Sequence, residues 1–249
     1  VRRAAALSAL GVLLMGAANA TLVLAVVPVL GLVALAQPSQ VRVRLLGWVA
    51  ACVGLACAWW LGALLVFGRF STPFLDYIES AVNTTGGIGP TEAVRGATHW
   101  VAWVSIGQQP WWPAGHSIVT NPWLIVATVA VGVTGLLGLL DHRVPLRSAF
   151  LISAAGGLLL LVLGSTGDPS GVFAEWWHAA LDGPLSPFRN VHKFDPLVRL
   201  PAAIGIAHVC GLLIGPGLAA SRASAPRGVA AAALVACVLA PLSVTISPG

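Results

Sequence analysis

Charge is what this sequence has least of. Only 8% of its 249 residues are Asp, Glu, Lys or Arg, where a soluble globular domain carries about 25%. Lysine occurs once, as Lys193, and eight acids face 13 basic residues. With 57% hydrophobic residues and a mean hydropathy of +0.90, that scarcity excludes a water-soluble domain and indicates an integral membrane protein. The net charge of +5 and pI near 9.7 do not point to a nucleic-acid partner. The arginines are scattered at the ends of apolar segments, which is the pattern of a membrane-orientation signal rather than of a phosphate-tracking patch.

Metal and disulfide spacing is missing too. Cys52, Cys57, Cys210 and Cys237 lie inside apolar runs, without ligand spacing, and read as small buried hydrophobes. HExxH, GxGxxG, P-loop and nucleophile-elbow patterns are absent. His99, His116 and His178 are scattered, so no cofactor is assigned; a divalent cation is compatible with the chemistry below, but no ligand cluster is visible. Val1-Arg2-Arg3 precedes an apolar run as in a signal peptide, yet no cleavage-like site leads into a soluble domain, and no Met comes first. We expect the sequence to begin inside a larger polypeptide.

What is present in quantity is apolar helix. The expected fold is all-α, a polytopic transmembrane bundle of five or six spans with short interfacial helices, forming one membrane domain over 1–249. Segment 4–16 is short for a span and 20–36 is the first full one, the alternative being a single tilted helix through both. Further spans are expected at 45–67, 122–140, 148–163, 197–219 and 228–246, with short polar turns at Asp141–Arg147 and Ser221–Arg227. The short loops hold Arg42, Arg44, Arg143, Arg147, Arg222 and Arg227 against the single acid Asp141. The two long segments, 68–121 and 164–196, hold the other seven acids. Positive charge stays inside, so the short loops are expected to be cytoplasmic and the long segments extracytoplasmic, in a multi-pass plasma-membrane protein.

Within 68–121, Phe74, Ile78 and Val82 recur at helical spacing, which predicts an amphipathic helix from Thr72-Pro73. Asp76 and Glu79 share another face; they suit either acid–base work or, more plainly, a solvated helical surface. Asn83–Pro90 reads as loop, and Asn83-Thr84-Thr85 matches a glycosylation sequon, a weak pattern. Trp100 and Trp103 fall on one helical face, and Trp111, Trp112, Trp176 and Trp177 complete six outer tryptophans. They fit an aromatic belt at the headgroups or a platform that stacks on sugar rings.

The polar stretch Pro187–Arg199 organises the rest. It carries Arg189, His192, Lys193, Asp195 and Arg199 at the edge of an apolar span, where each charge costs about 2.5–3.5 kcal/mol at the helix centre. Asp195 and Arg199 have the spacing of an ion pair on one helical face. The cations suit a phosphate or pyrophosphate, with Arg giving planar bidentate contacts and Lys a point charge. Snorkelling anchors are the plainer alternative. His192 fits an acid–base role or a structural hydrogen bond, and His208, inside an apolar segment, should face other helices.

Pro187 through Pro201, Phe74–Ser80, Arg95–Trp100 and Trp111–Gly115 together resemble the multi-span region of the actinobacterial alpha-(1→3)-arabinofuranosyltransferases, membrane glycosyltransferases of the GT-C architecture. The resemblance spans roughly residues 10–240. It implies a polyprenyl-phosphate arabinofuranose donor, a cell-wall arabinan acceptor, contact with membrane lipid and the rest of a larger polypeptide. It implies that Arg189, His192, Lys193 and Arg199 face the donor phosphate and that Trp111, Trp112 and His99 border the acceptor groove. The catalytic acid of GT-C enzymes sits in the first outer loop, ahead of the part this chain resembles, so the base is expected elsewhere. A rival reading from the residues is a transporter or flippase of lipid-linked sugars, which often carries matched helix breaks; the Gly16–Asn19 break has no clear counterpart. A non-catalytic membrane scaffold is the third.

Overall fold

The computed structural model describes residues 1–14, 20–70, 79–167, 170–214 and 224–246. Its first group of helices is Arg2–Leu14 (α1), Ala20–Leu35 (α2) and Ser39–Phe70 (α3). Pro38 stops α2, because a residue before proline is pushed out of the α region. α1 lies along α3, packing Ala9 and Val12 against Val53, Ala56, Cys57 and Trp60. Leu55, Trp59, Leu65 and Phe70 are exposed along the far side of α3, as lipid-facing residues of a span would be.

The second group is Pro122–Gly138 (α7), Arg147–Val162 (α8), Pro196–Ile214 (α10) and Ser224–Ile246 (α11). α7 and α10 cross at glycines. A Cβ on Gly135 would lie 2.7 Å from the Ala202 carbonyl oxygen, and one on Gly205 would fall on the Gly135 carbonyl. Such small residues let two backbones approach where no hydrophobic gradient drives helices together. On the far turn, His208 of α10 meets Asp141 at 2.9 Å, so this intramembrane-side histidine does face a neighbouring helix end.

Polar segments close one end of this group. They comprise Ala81–Thr85 (α4), Pro90–Arg95 (α5), a 3₁₀ turn at Trp100–Trp103, a hairpin pairing Ser105–Ile106 with Gln109–Pro110, Pro113–Thr120 (α6) and Ala174–Asp182 (α9). Two further 3₁₀ turns, Ser186–Phe188 and Val191–Phe194, lead into α10. Beneath them Ile88, Leu161, Leu181, Val191 and Val198 form a buried core. α6 and α7 are bent by 78° at Asn121, whose side chain caps α7 by accepting from the Trp123 amide at 2.9 Å.

Among the described residues, two helices are by length and composition long and apolar enough to cross a membrane, Ser39–Phe70 and Val191–Leu213. The bent pair α6–α7 gives a third candidate, and Val26–Leu35, Arg147–Val162 and Gly228–Ser243 are shorter apolar helices. The all-α membrane bundle is therefore the fold. Three local expectations change. Asn83–Thr85 is helical rather than loop, because Ser80 caps α4 by accepting from the Asn83 amide, and Pro90 starts α5. Ser224–Arg227 belongs to α11 instead of a turn. The amphipathic helix expected from Thr72 falls on 71–78, outside the described residues, as do the Gly16–Asn19 break and Asp76; Glu79 and Ser80 are not helical, so Val82 belongs to a separate helix.

The glycine crossing predicts that Gly205→Val, forced against α7, lowers stability by about 1–3 kcal/mol or more. Gly211→Ala, on the same helix with open space around it, should be neutral. Thermal unfolding of the purified protein in detergent checks both.

Candidate functional site

The site is built where the polar segments meet the start of α10. Arg189 is 5% exposed and points inward. Its Nε lies 3.0 Å from Asp182 Oδ1 and donates to the Leu181 carbonyl, while Nη1 donates to the Glu79 carbonyl. Asp182 in turn accepts from the Ala81 amide at 2.8 Å, and Thr84 donates to the Arg189 carbonyl at 2.9 Å. One guanidinium thus ties α4, α9 and the stretch before α10 together.

Arg199 is similarly engaged. Its terminal nitrogens donate to the carbonyls of Ala93 and Val94, at the C-terminal end of α5. Gly96 ends that helix in the left-handed region at φ 79°, and a Cβ there would sit 3.4 Å from the Arg199 guanidinium carbon. Nε of Arg199 is 3.5 Å from Asp195 Oδ1, one turn earlier, and Thr98 donates to Asp195 Oδ2 at 2.8 Å. Arg95 donates to the Ile118 carbonyl at 2.9 Å.

What remains toward the surface is a compact cluster. His192 stacks on His99 with ring centroids 4.1 Å apart, and Trp112 meets His99 edge-on at 5.3 Å. Nothing in their spacing pairs these two histidines; the fold stacks them. Nδ1 of each ring is buried and has no hydrogen-bond partner among the described residues. Burial holds the His99 imidazole below its ordinary value, Glu79 and Asp195 oppose that shift, and Lys193 adds to it. Lys193 itself is half-buried beside them. Asn190 donates to Glu79 Oε2 at 2.6 Å and accepts from the Trp100 indole at 2.8 Å, so Glu79 is a member of the cluster rather than of a solvated helical face. Trp111 lies against Trp100 at 6.4 Å, one ring removed from the histidines.

The expected site residues therefore divide. His192, Lys193, His99 and Trp112 come together at one surface, with Trp111 at its border through Trp100. Arg189 and Arg199 adjoin them from beneath, holding backbone carbonyls and carboxylates. Sequence reasoning weighed Glu79 for acid–base work and Trp100 for a sugar platform but did not group them, or Asn190 and Thr98, with these residues. His116 and His178 serve the scaffold: His116 contacts the Ala102 carbonyl, and His178 contacts Thr85 and the Gly164 carbonyl. Among the described residues no three His, Cys, Asp or Glu side chains are placed to hold a metal ion. Beside the Glu79 carboxylate, which Asn190 holds, the cluster presents one ammonium and two imidazoles, each with an N–H to donate, at a surface bordered by indoles.

Comparison with known proteins adds the following. A family model described as the N-terminal GT-C domain of alpha-(1→3)-arabinofuranosyltransferase matches residues 1–248. The alpha-(1→3)-arabinofuranosyltransferase of Mycolicibacterium smegmatis is 39% identical over 231 residues, 92% of this chain. That of Mycobacterium tuberculosis is 36% identical over 228 residues, 91% of this chain. In both cases the chain spans 16% of the relative's length. The single-particle cryo-EM structure of arabinofuranosyltransferase AftD from Mycobacteria superposes with a TM-score of 0.61 at 31% identity, covering 97% of this chain and 14% of that one.

Two outcomes follow from the site's geometry. Arg189→Ala strands buried carbonyls and Asp182, and should cost about 3–5 kcal/mol, visible as a lower unfolding midpoint and a poor yield of folded protein. The second concerns pH. Because the fold depresses the His99 pKa, the unfolded chain takes up its proton first as pH falls. The neutral ring's stabilisation is full above about pH 6.5 and is lost as pH drops below it. The unfolding midpoint should fall between about pH 7 and 5, and fall less in His99→Gln.

Proposed function

This chain belongs to the family of alpha-(1→3)-arabinofuranosyltransferase N-terminal GT-C domains, and from that premise we propose that it is the membrane region of an enzyme moving arabinofuranose from a polyprenyl-phosphate donor to a cell-wall arabinan acceptor. The enzyme is read as a multi-pass plasma-membrane protein with segments 68–121 and 164–196 on the extracytoplasmic side, within a larger polypeptide. The observation that carries the reading is the His99–His192 stack beside Lys193, bordered by Trp112. It offers cationic and N–H donors for a phosphate at the edge of an apolar helix, where a lipid-linked phosphate resides.

In the transfer, the acceptor hydroxyl oxygen bonds to the anomeric carbon of arabinofuranose. The bond from that carbon to the phosphate oxygen breaks, and polyprenyl phosphate leaves with the electron pair. Lys193 is positioned to stabilise the charge that develops on the departing phosphate, and the imidazole N–H groups of His99 and His192 donate to its oxygens. Arg189 and Arg199 hold this surface in shape from below and fix the backbone on which Lys193 and His192 stand. The acceptor hydroxyl gives its proton to a general base. Trp112 and Trp111 border the acceptor.

The test is arabinosyl transfer in membranes containing the full-length protein. Lys193→Ala should fold and reach wild-type levels, yet lose about 100-fold or more in turnover, with Lys193→Arg retaining part of the rate. Normal transfer and donor binding by Lys193→Ala would move the phosphate site elsewhere.

A further inference from the structure

Next to the transfer cluster lies a second cavity, of about 350 Å³, that takes no part in it. Asn83, Gly87, Ile88, Trp100, Trp103 and Val104 line it. None of these side chains is ionisable, so its occupant is neutral, unlike the phosphate ligand read for the cluster. Its volume is at the small end of ligand pockets.

The walls are two indoles and an amide. Trp103 is 44% exposed and offers its ring to the cavity. Trp100 is held in place because its N–H donates to Asn190 Oδ1, and the edge-to-face contact with Trp111 supports it from outside. A Cβ on Gly87 would stand 3.6 Å from Cδ1 and Nε1 of Trp103, so any longer side chain there would grow across the indole and close the space. Fully buried Ile88 seals the base, and exposed Asn83 on α4 sets an amide donor and acceptor at the rim.

Electron-rich indole faces attract the weakly positive C–H bonds on one face of a saccharide ring, while hydroxyls at the ring's edge need an amide such as Asn83. An acyl chain would leave that amide unpaired, and an aromatic belt directs its indole N–H groups to headgroups, whereas Trp100 spends its own on Asn190. The hydrogen bonds from Trp100 to Asn190 and from Asn190 to Glu79 also connect this cavity to the transfer cluster. We propose that the cavity is a sugar subsite holding a neutral saccharide unit of the acceptor glycan, one or more units away from the reacting hydroxyl. The glycan identity rests on the function proposed above.

Binding of neutral arabinofuranose oligosaccharides to the purified full-length protein in nanodiscs, by calorimetry and ligand-observed NMR, tests it. Trp103→Ala should weaken binding about tenfold and Asn83→Ala by less, with Trp103→Phe keeping part of the affinity. Lys193→Ala should bind the oligosaccharides as wild type does. Unfolding midpoints of the variants, compared with wild type, separate lost binding from lost fold. Wild-type affinity in a folded Trp103→Ala variant overturns the subsite, as does contact between Trp103 and lipid acyl chains that oligosaccharide fails to displace. Normal transfer by Lys193→Ala would instead overturn the proposed phosphate site and leave the binding result to decide the subsite separately.

Discussion

Buried guanidinium groups gripping the ends of short helices are what the polar end of this molecule depends on. Arg199 takes the last carbonyls of α5, Arg189 takes the Leu181 carbonyl near the end of α9, and Arg95 takes the Ile118 carbonyl near the end of α6. A helix leaves its final carbonyls unpaired and carries partial negative charge there, so a cation with several fixed donors satisfies both needs at once. Helices of six to nine residues are not stable alone. Here each is held by an arginine that belongs to another segment. Lysine, a single strongly hydrated point charge, would not fork between two carbonyls in the same way.

That division of labour explains why one lysine stands out. The arginines near the site are spent on architecture, and Lys193 is the cation left beside the stacked imidazoles. The same economy governs the aromatics. Trp100 is tied down through its indole nitrogen, Trp112 is set against His99, and Trp103 keeps its ring turned to an open cavity.

The apolar bundle could be read from the sequence because long hydrophobic runs have few structural options in a bilayer. Observed helices such as Pro122–Gly138 and Arg147–Val162 end within two residues of the expected limits. The polar end was far less legible. α4 is built from Ala-Val-Asn-Thr-Thr, whose composition favours loops, and it is helical because Thr84 and Thr85 are buried and bonded to distant carbonyls. Glu79 reads as a surface acid until Asn190, more than a hundred residues later, meets it. The resemblance puts Arg189 and Lys193 on one phosphate, but the chain there runs through 3₁₀ turns that bury the arginine against Asp182 and backbone carbonyls and leave the lysine half-buried. Motif resemblance identified the family but did not separate Arg189, which the fold buries, from His192 and Lys193 beside it.

The 78° elbow between α6 and α7 has a mechanical meaning. Asn121 closes one helix and opens the other, so no slack separates the apolar helix from the one that starts after Trp112. α6 is a lever about 12 Å long at 1.5 Å per residue, and a rotation of about 5° at the elbow moves its far end by about 1 Å. Membrane helices adjust their tilt when bilayer thickness changes. A change in the tilt of α7 would therefore reach Trp112, and through it the edge-on contact with His99.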